Sequence, residues 1–340
     1  MSILNWQGGF SSFFSDAGNW QPQVAPNATS DVRIEPSAST TIVAADSEIN
    51  TLVTDANTTL VVGATGRFTI LGAPDASNPT GASLNHGTLS VDLCAELFLD
   101  GRFTNAGLLS SGFDSKMFVD GALTNTGTVN ERGNIILGDA THAGTLTNMH
   151  GATWTFSDAA NVLTGAAPGS HLTNEGTLTR NGVGVASIGV STTNSGNVSV
   201  TSGELDFLSS VSNTGAMSAI GATLSLDQAV SGVGMLDLGA GGTLNLASGS
   251  DAGQTVDFLG NGTLDLGAAN AFAGHISGFH GADMIDLANT LANHESFAGG
   301  VLTLSEGSTQ VGRLHFNGAY STSSFSLSSD HNGGTLVHFV

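Results

Sequence analysis

Short runs in which apolar residues alternate with polar ones fill most of the chain between residues 41 and 267. In the segment ELFLD, for example, Leu97 and Leu99 lie two residues apart, and TLDL at 263–266 repeats this spacing. Alternation over four or five residues, bounded by Gly, Asn or Asp, is typical of a short strand with one buried face. The pattern therefore predicts an all-β protein.

A second pattern has a longer period. A phrase close to Thr-Asn-x-Gly returns at intervals of 19 to 26 residues, with its asparagine at Asn85, Asn105, Asn125, Asn148, Asn174, Asn194 and Asn213. A fixed period near 20 residues indicates a repeat architecture in which each unit stacks on its neighbours. Two or three strands and tight turns per period predict a right-handed parallel β-solenoid, with coils of about 20 residues.

The repeated asparagine has a structural interpretation. Asparagine tolerates turn conformations, and its side-chain amide both donates and accepts hydrogen bonds. Equivalent amides in stacked coils are therefore expected to form a ladder at one corner, as they do in stacked cross-β structures. The longest interval, between Asn148 and Asn174, predicts a loop at 157–171.

The two ends differ from the repeat region. Residues 1–40 carry Trp6 and Trp20 in a short, otherwise polar segment, and we expect this segment to cap the solenoid at 41–267. An aromatic sugar-binding platform is the alternative role of the two tryptophans. Residues 268–340 lack the asparagine phrase but keep alternating segments, which predicts a β-rich C-terminal region.

Both ends resemble bacterial surface proteins. The N-terminal DAGNW and DVRI segments resemble the start of many secreted, autotransporter-like solenoids. The C-terminal region resembles that of surface proteins exported by type I secretion, through a pattern shared by Phe272, Gly274, Ile276, Gly278, Phe279, Asp283, Ile285, Asp286 and Leu287. The resemblance implies export by the type I secretion machinery with an uncleaved C-terminal signal, and hence an extracellular, cell-surface location.

The composition limits the classes of partner that the chain is expected to bind. The chain of 340 residues has a formal net charge of −21 and only seven Lys and Arg residues, which argues against nucleic acid or an anionic membrane as a partner. The sequence contains no run of 18 apolar residues, so it predicts no membrane span.

Cys94 is the single cysteine and stands in an apolar run, and we expect it to be a small buried residue. We expect no cofactor other than calcium, for which Asp283 and Asp286 are candidate ligands, although no calcium-binding nonapeptide occurs.

No catalytic motif stands out. Solenoids also carry polysaccharide lyases and hydrolases, which need a base together with cations or clustered carboxylates. The arginines are scattered, and Asp206, Asp227, Asp237 and Asp265 fall about once per coil. A groove containing Arg132 or Arg180 would favour such an enzyme, or a carbohydrate-binding protein. The preferred hypothesis is an exported surface or matrix protein that acts in adhesion, or in self-assembly into filaments or a lattice by end-to-end stacking of solenoids. Its expected partners are further copies of itself and a surface polysaccharide.

Overall fold

The computed structural model describes residues 2–36, 39–76, 78–158, 160–165, 168–267 and 269–340. It contains two compact units, Met1–Thr177 and Leu178–Val340. The helices described are single 3-10 turns: Ala17–Asn19 in the first unit, and Ala269–Ala271 and Thr322–Ser324 in the second. The prediction of an all-β protein is confirmed.

The strands of the first unit are short, and most have three to five residues. They are β1 (Ser2–Trp6), β2 (Trp20–Gln21), β3 (Ser30–Ile34), β4 (Thr40–Ala44), β5 (Ser47–Ile49), β6 (Thr51–Thr54), β7 (Thr58–Val62), β8 (Arg67–Ile70), β9 (Ser83–Asn85), β10 (Thr88–Val91), β11 (Glu96–Leu99), β12 (Arg102–Asn105), β13 (Leu108–Ser111), β14 (Lys116–Val119), β15 (Ala122–Asn125), β16 (Thr128–Glu131), β17 (Asn134–Leu137), β18 (Thr145–Asn148), β19 (Thr153–Phe156), β20 (Asn161–Thr164) and β21 (His171–Asn174).

The second unit begins within strand β22 and ends in longer strands. Its strands are β22 (Thr177–Arg180), β23 (Val185–Ile188), β24 (Ser191–Asn194), β25 (Asn197–Val200), β26 (Glu204–Phe207), β27 (Val211–Asn213), β28 (Ala216–Ala219), β29 (Thr223–Leu226), β30 (Val230–Ser231), β31 (Met235–Leu238), β32 (Thr243–Leu246), β33 (Thr255–Phe258), β34 (Thr263–Leu266), β35 (His275–Ser277), β36 (Met284–Leu287), β37 (His294–Ala298), β38 (Val301–Glu306), β39 (Thr309–Asn317), β40 (Phe325–Ser329) and β41 (Thr335–Phe339).

Each unit is a parallel β-solenoid built from three sheets, here called sheets A, B and C. In the first unit, sheet A has the order β2-β1-β3-β6-β9-β12-β15-β18-β21, sheet B runs from β4 to β19, and sheet C runs from β5 to β20, each through every third strand. The antiparallel pairing of β1 with β2 contrasts with the parallel pairing of the coil strands. Successive coils are thus stacked as the 20-residue period predicts.

Stacking aligns equivalent residues of successive coils. Leu97 of β11 pairs with Met117 of β14, and Leu99 pairs with Val119. All four side chains are buried, because alternate residues of each strand point into the solenoid. Each coil therefore covers the apolar face of the next.

The first coil is covered by the N-terminal segment. Trp20 contacts both Trp6 and Phe14 edge to face, with ring centroids 5.1 Å apart in each pair. The Trp20 Nε1 atom donates to the Phe14 carbonyl oxygen at 2.8 Å. Backbone bonds between this segment and Val43 then cover the edge of sheet B, since Phe14 N donates to Val43 O at 2.9 Å and Val43 N donates to Ser12 O at 2.9 Å.

The second unit changes from parallel to antiparallel pairing at its C-terminal end. Strands β37, β38 and β39 form an antiparallel extension of sheet B, and β41 and β40 form one on sheet C. A cluster of aromatic rings packs there, made of Phe279, Phe297, Phe316, Tyr320, Phe325 and Phe339.

Two local predictions are wrong. Cys94 is exposed and not buried, since it lies in the turn between β10 and β11 with φ of 57°. The interval 157–171 is not a plain loop, because β20 lies within it and pairs with β17. Ala159, Ala166 and Ala167 of that interval lie outside the described residues.

Candidate functional site

The repeated asparagines of the first unit lie in one file at the end of the sheet A strands. The Nδ2 atom of each donates to the Oδ1 atom of the next: Asn85 to Asn105 at 2.8 Å, Asn105 to Asn125 at 2.9 Å, Asn125 to Asn148 at 2.8 Å and Asn148 to Asn174 at 2.9 Å. All five side chains are fully buried. Each bond points in the same direction along the chain, so the file is a polarised ladder.

In each unit the file of amides also includes a residue that the repeat pattern did not reveal. In the first unit, the Thr54 hydroxyl donates to Asn85 Oδ1 at 2.8 Å. In the second unit, Asn194 donates to Asn213 at 2.8 Å, and Asn213 Nδ2 donates to Gln254 Oε1 at 3.1 Å. Gln254 Nε2 in turn donates to the Asn213 carbonyl oxygen at 2.8 Å. The amides are occupied by these bonds, which makes the ladder a structural feature and not a reactive one.

The two tryptophans of the N-terminal segment are buried. Trp20 is 1% exposed and Trp6 is 7% exposed. Because their rings pack against each other and against Phe14, neither offers an open face on which a sugar could stack. A platform made of both rings is therefore not present.

The candidate calcium ligands lie near each other in sequence but have different surroundings. Asp283 is buried, and its oxygens accept hydrogen bonds from Gly262 N at 3.2 Å and His280 N at 2.8 Å. Asp286 points outward on β36, in register with Asp265 of β34. Among the described residues, no three His, Cys, Asp or Glu side chains converge as a metal site requires. Calcium binding by this pair stays a prediction.

Arg132 and Arg180, the two arginines expected in an enzymatic groove, have different surroundings. Arg180 is fully buried, and its Nη2 atom donates to the carbonyl oxygens of Val183 at 2.6 Å and Gly184 at 3.0 Å. Arg132 is exposed and forms an ion pair with Asp158, with Nε and Oδ2 2.8 Å apart. The Arg180 guanidinium is thus bound to backbone carbonyl oxygens, and the Arg132 guanidinium is bound to a carboxylate.

The aspartates of the second unit fall on two different sheets. Asp206 and Asp265 point outward from sheet C, and Asp237 points outward from sheet B beside Asp257. Burial, Asp227 and Glu204 raise the pKa of Asp206 to about 6. Burial and Asp257 also raise the pKa of Asp237. These carboxylates crowd one another along each sheet, and repulsion between them favours their protonated forms.

The outward face of sheet C in the first unit carries two stacked phenylalanine rings. Phe98 and Phe118 stack with centroids 4.4 Å apart and an interplanar angle of 7°. The register continues the file through Ile136 to Leu163, of which Leu163 is 38% exposed. We call Phe98, Phe118, Ile136 and Leu163 the aromatic stripe.

Charged residues lie beside the two phenylalanines, two positions earlier in β11 and β14, and the row continues onto β8. Arg67 pairs in register with Glu96, which pairs with Lys116, the only lysine of the chain. The Arg67 guanidinium lies 4.0 Å from the centroid of the Phe98 ring, a cation–π contact. The signs therefore alternate along the edge of the stripe.

The equivalent outward file of sheet C in the second unit is polar. It contains Ser187, Asp206, Ser225, Asn245 and Asp265. The stripe is consequently not a by-product of the repeat, because the same position accepts polar residues. Sequence reasoning missed it, although apolar residues at both phases of ELFL, KMFV and NIIL were a readable signal.

Comparison with known proteins does not assign the chain to a family. No known protein family matches the chain, and no significant relative is found among curated proteins. Export by type I secretion therefore stays a prediction. In the described part of the chain, no helix has the length and apolar character needed to cross a bilayer.

Proposed function

We propose that this chain is an exported structural, adhesin-like protein that associates with a second copy of itself through the aromatic stripe. The observation that supports this is the outward stack of Phe98 on Phe118, continued by Ile136 and Leu163. Scattered apolar side chains are ordinary on protein surfaces, whereas a contiguous outward file of them is typical of a contact site. In this file Leu163 is exposed, and Phe98, Phe118 and Ile136 are half-buried. Burying the Phe98 and Phe118 rings would remove their apolar area from water.

The charges beside the stripe favour a second copy as the partner. A twofold axis parallel to the strands and passing between β11 and β14 would bring Phe98 of one copy to Phe118 of the other, and Ile136 to Thr69. The same axis would bring Glu96 of one copy to Lys116 of the other, twice. Opposite charges would then meet on a molecule whose net charge of −21 otherwise opposes self-association.

The ends of the solenoid give less support to end-to-end stacking, the mechanism expected from the repeat alone. In the first unit, β1, β2 and the Phe14–Val43 backbone bonds cover edges of sheets A and B, whereas β5 is the terminal strand of sheet C. In the second unit, antiparallel strands β37 to β41 follow the last parallel coils. A paired edge does not accept another strand. A lateral contact through the stripe closes as a dimer, and a filament would need a second contact.

Mass measurement tests the association. The expected result is a dimer that dissociates on dilution, measured by sedimentation velocity or light scattering over a range of protein concentrations. The double substitution Phe98→Ser and Phe118→Ser should give a monomer with an unchanged β-sheet circular dichroism spectrum. The control is Phe113→Ser with Leu259→Ser, since these exposed side chains lie outside the stripe. A wild-type monomer at every concentration, or a dimer of the double variant, would contradict the proposal.

Export is tested separately, by fractionating cells that make the full chain and locating it with an antibody. The proposal expects the protein on the cell surface or in the medium. Recovery in the cytosol alone would overturn this part of the proposal and leave the association unaffected.

A further inference from the structure

A cleft of about 720 Å³ opens beside the N-terminal segment of the first unit. Its walls come from the end of β1, the following loop at 7–12, the two residues after β3 and the start of β4. The side chains that matter for recognition are Phe10, Ser12, Glu35 and Thr41, all of which are exposed. This volume is within the range of small-molecule binding sites in proteins.

The loop that forms one wall is fixed from inside. The Asn19 side chain is fully buried, and its Oδ1 atom accepts from Phe10 N at 3.2 Å and Ser11 N at 3.0 Å. Its Nδ2 atom donates to Ser11 Oγ and to Phe13 O, each at 3.0 Å. One buried amide therefore holds four groups of the loop, and the wall is formed before any ligand arrives.

The Phe10 ring is held at the surface by the same arrangement. The ring lies against Gly18 so closely that a Cβ atom at that position would be 2.8 Å from Phe10 Cγ. Even so, Phe10 is 72% exposed, the largest exposure of any phenylalanine among the described residues. An apolar ring that is positioned from behind and open to water on its other side provides a flat stacking surface.

The remaining lining determines which ligand fits. Glu35 supplies a carboxylate acceptor, and Ser12 and Thr41 supply hydroxyl groups that donate and accept. None of the described residues that line the cleft is Lys or Arg, so an anionic ligand would meet only the negative charge of Glu35. A pyranose has an apolar C–H face for the ring and hydroxyl groups for the carboxylate, without a charge of its own.

We propose that this cleft binds the uncharged end of a glycan, with a sugar ring on Phe10 and its hydroxyl groups hydrogen-bonded to Glu35. The inference goes beyond self-association, because it gives the adhesin-like protein a ligand at a surface separate from the aromatic stripe. Trp6 also lines the cleft, which makes its fluorescence a direct reporter of binding.

The test is a fluorescence titration of the full chain with short neutral oligosaccharides of glucose, mannose, galactose and N-acetylglucosamine. At least one should bind saturably, and oligogalacturonate, which carries carboxylates, should bind more weakly. Phe10→Ala and Glu35→Gln should each weaken binding by about tenfold or more. The control Phe113→Ala removes an exposed ring outside the cleft and should leave binding unchanged.

Three outcomes overturn the inference: no binding of any neutral oligosaccharide up to about 10 mM, binding that neither cleft substitution weakens, or preferential binding of oligogalacturonate. Because Phe10 and Glu35 are exposed, their substitution should leave the circular dichroism spectrum unchanged. The Phe98→Ser and Phe118→Ser variant should still bind the oligosaccharide. Failure of the glycan site and failure of self-association are thereby distinguished.

Discussion

The Nδ2 atom of Asn105 donates to the Oδ1 atom of Asn125, one coil further along, at 2.9 Å. The same Nδ2 atom donates to the carbonyl oxygen of Thr128 at 2.9 Å. Each amide of the ladder thus joins two coils through a side chain and through the backbone. Since the side chains are fully buried, no water replaces a bond that is lost.

Replacing one member in the middle of the ladder should destabilise the protein. Asn125→Leu removes the acceptor of Asn105 and the donor to Asn148 Oδ1 and Thr153 O. Leaving buried polar groups without partners should lower the free energy of unfolding by about 2–4 kcal/mol. Urea denaturation measures the loss. Thr124→Ala, at the neighbouring outward position, should cost less than about 0.5 kcal/mol, and equal losses for both variants would show that the ladder does not stabilise the fold.

A buried carboxyl group gives the first unit a pH dependence. Glu131 is fully buried, and its Oε2 atom accepts from Trp154 Nε1 at 2.9 Å. Burial raises the pKa of Glu131 well above 4.5, and the Trp154 hydrogen bond lowers it by less. A carboxyl with a raised folded-state pKa adds stability below its unfolded pKa and loses that contribution as pH rises through the folded pKa.

The variant Glu131→Gln keeps the shape and cannot ionise. We expect its stability advantage over the wild type to be small near pH 4 and to grow as pH rises above about 4.5, by up to about 1.4 kcal/mol per pH unit until the folded pKa is reached. Urea midpoints measured from pH 4 to pH 8 give this difference. Glu306→Gln makes the same chemical change at an exposed position and should show no such trend. A difference that is constant with pH would rule out ionisation of Glu131 as the cause.

The strand positions could be predicted because the alternation of apolar and polar residues agrees with the 20-residue repeat. Leu97 and Leu99 point inward and pair with Met117 and Val119, as a 20-residue shift of the sequence places them. Exceptions occur where a turn interrupts the inward–outward alternation of a strand, or where a charged residue occupies an inward position. Cys94 is exposed because a turn interrupts the apolar run, which a count of apolar residues does not reveal.

The surfaces were less predictable than the core. Glu131 and Arg180 occupy inward positions where the repeat usually places apolar residues, and only their three-dimensional partners explain their burial. The aromatic stripe depends on which of two alternating phases faces water. The cleft beside Phe10 depends on the bonds of Asn19, a residue outside the repeat. Neither the aromatic stripe nor the cleft can therefore be predicted from the 20-residue repeat.

Arg180 provides a test of a buried cation. Its guanidinium donates to the carbonyl oxygens of Val183, Gly184 and Glu204. Arg180→Ala would leave these oxygens short of donors and would leave a cavity, so we expect a loss of about 3–5 kcal/mol in the free energy of unfolding. Arg313→Ala, at an exposed position of β39, should change it by less than about 0.5 kcal/mol. Denaturation midpoints compare the two, and a loss for Arg180→Ala no larger than that for Arg313→Ala would contradict the structural role.

The pKa of a single residue, Asp206, reports the repulsion between carboxylates on sheet C of the second unit. Burial first, and then Asp227 and Glu204, raise the pKa of Asp206 to about 6. The carboxyl carbon of Asp206 should therefore titrate near pH 6 in a carbon-13 NMR experiment. Asp227→Asn removes one repelling charge and should lower that pKa, because the ionised form of Asp206 then meets less repulsion. Asp257→Asn acts on sheet B beside Asp237 and should leave the Asp206 titration unchanged, as the control. An Asp206 pKa near the ordinary value of 3.8, or equal shifts in both variants, would show that crowding along the coil does not govern this group.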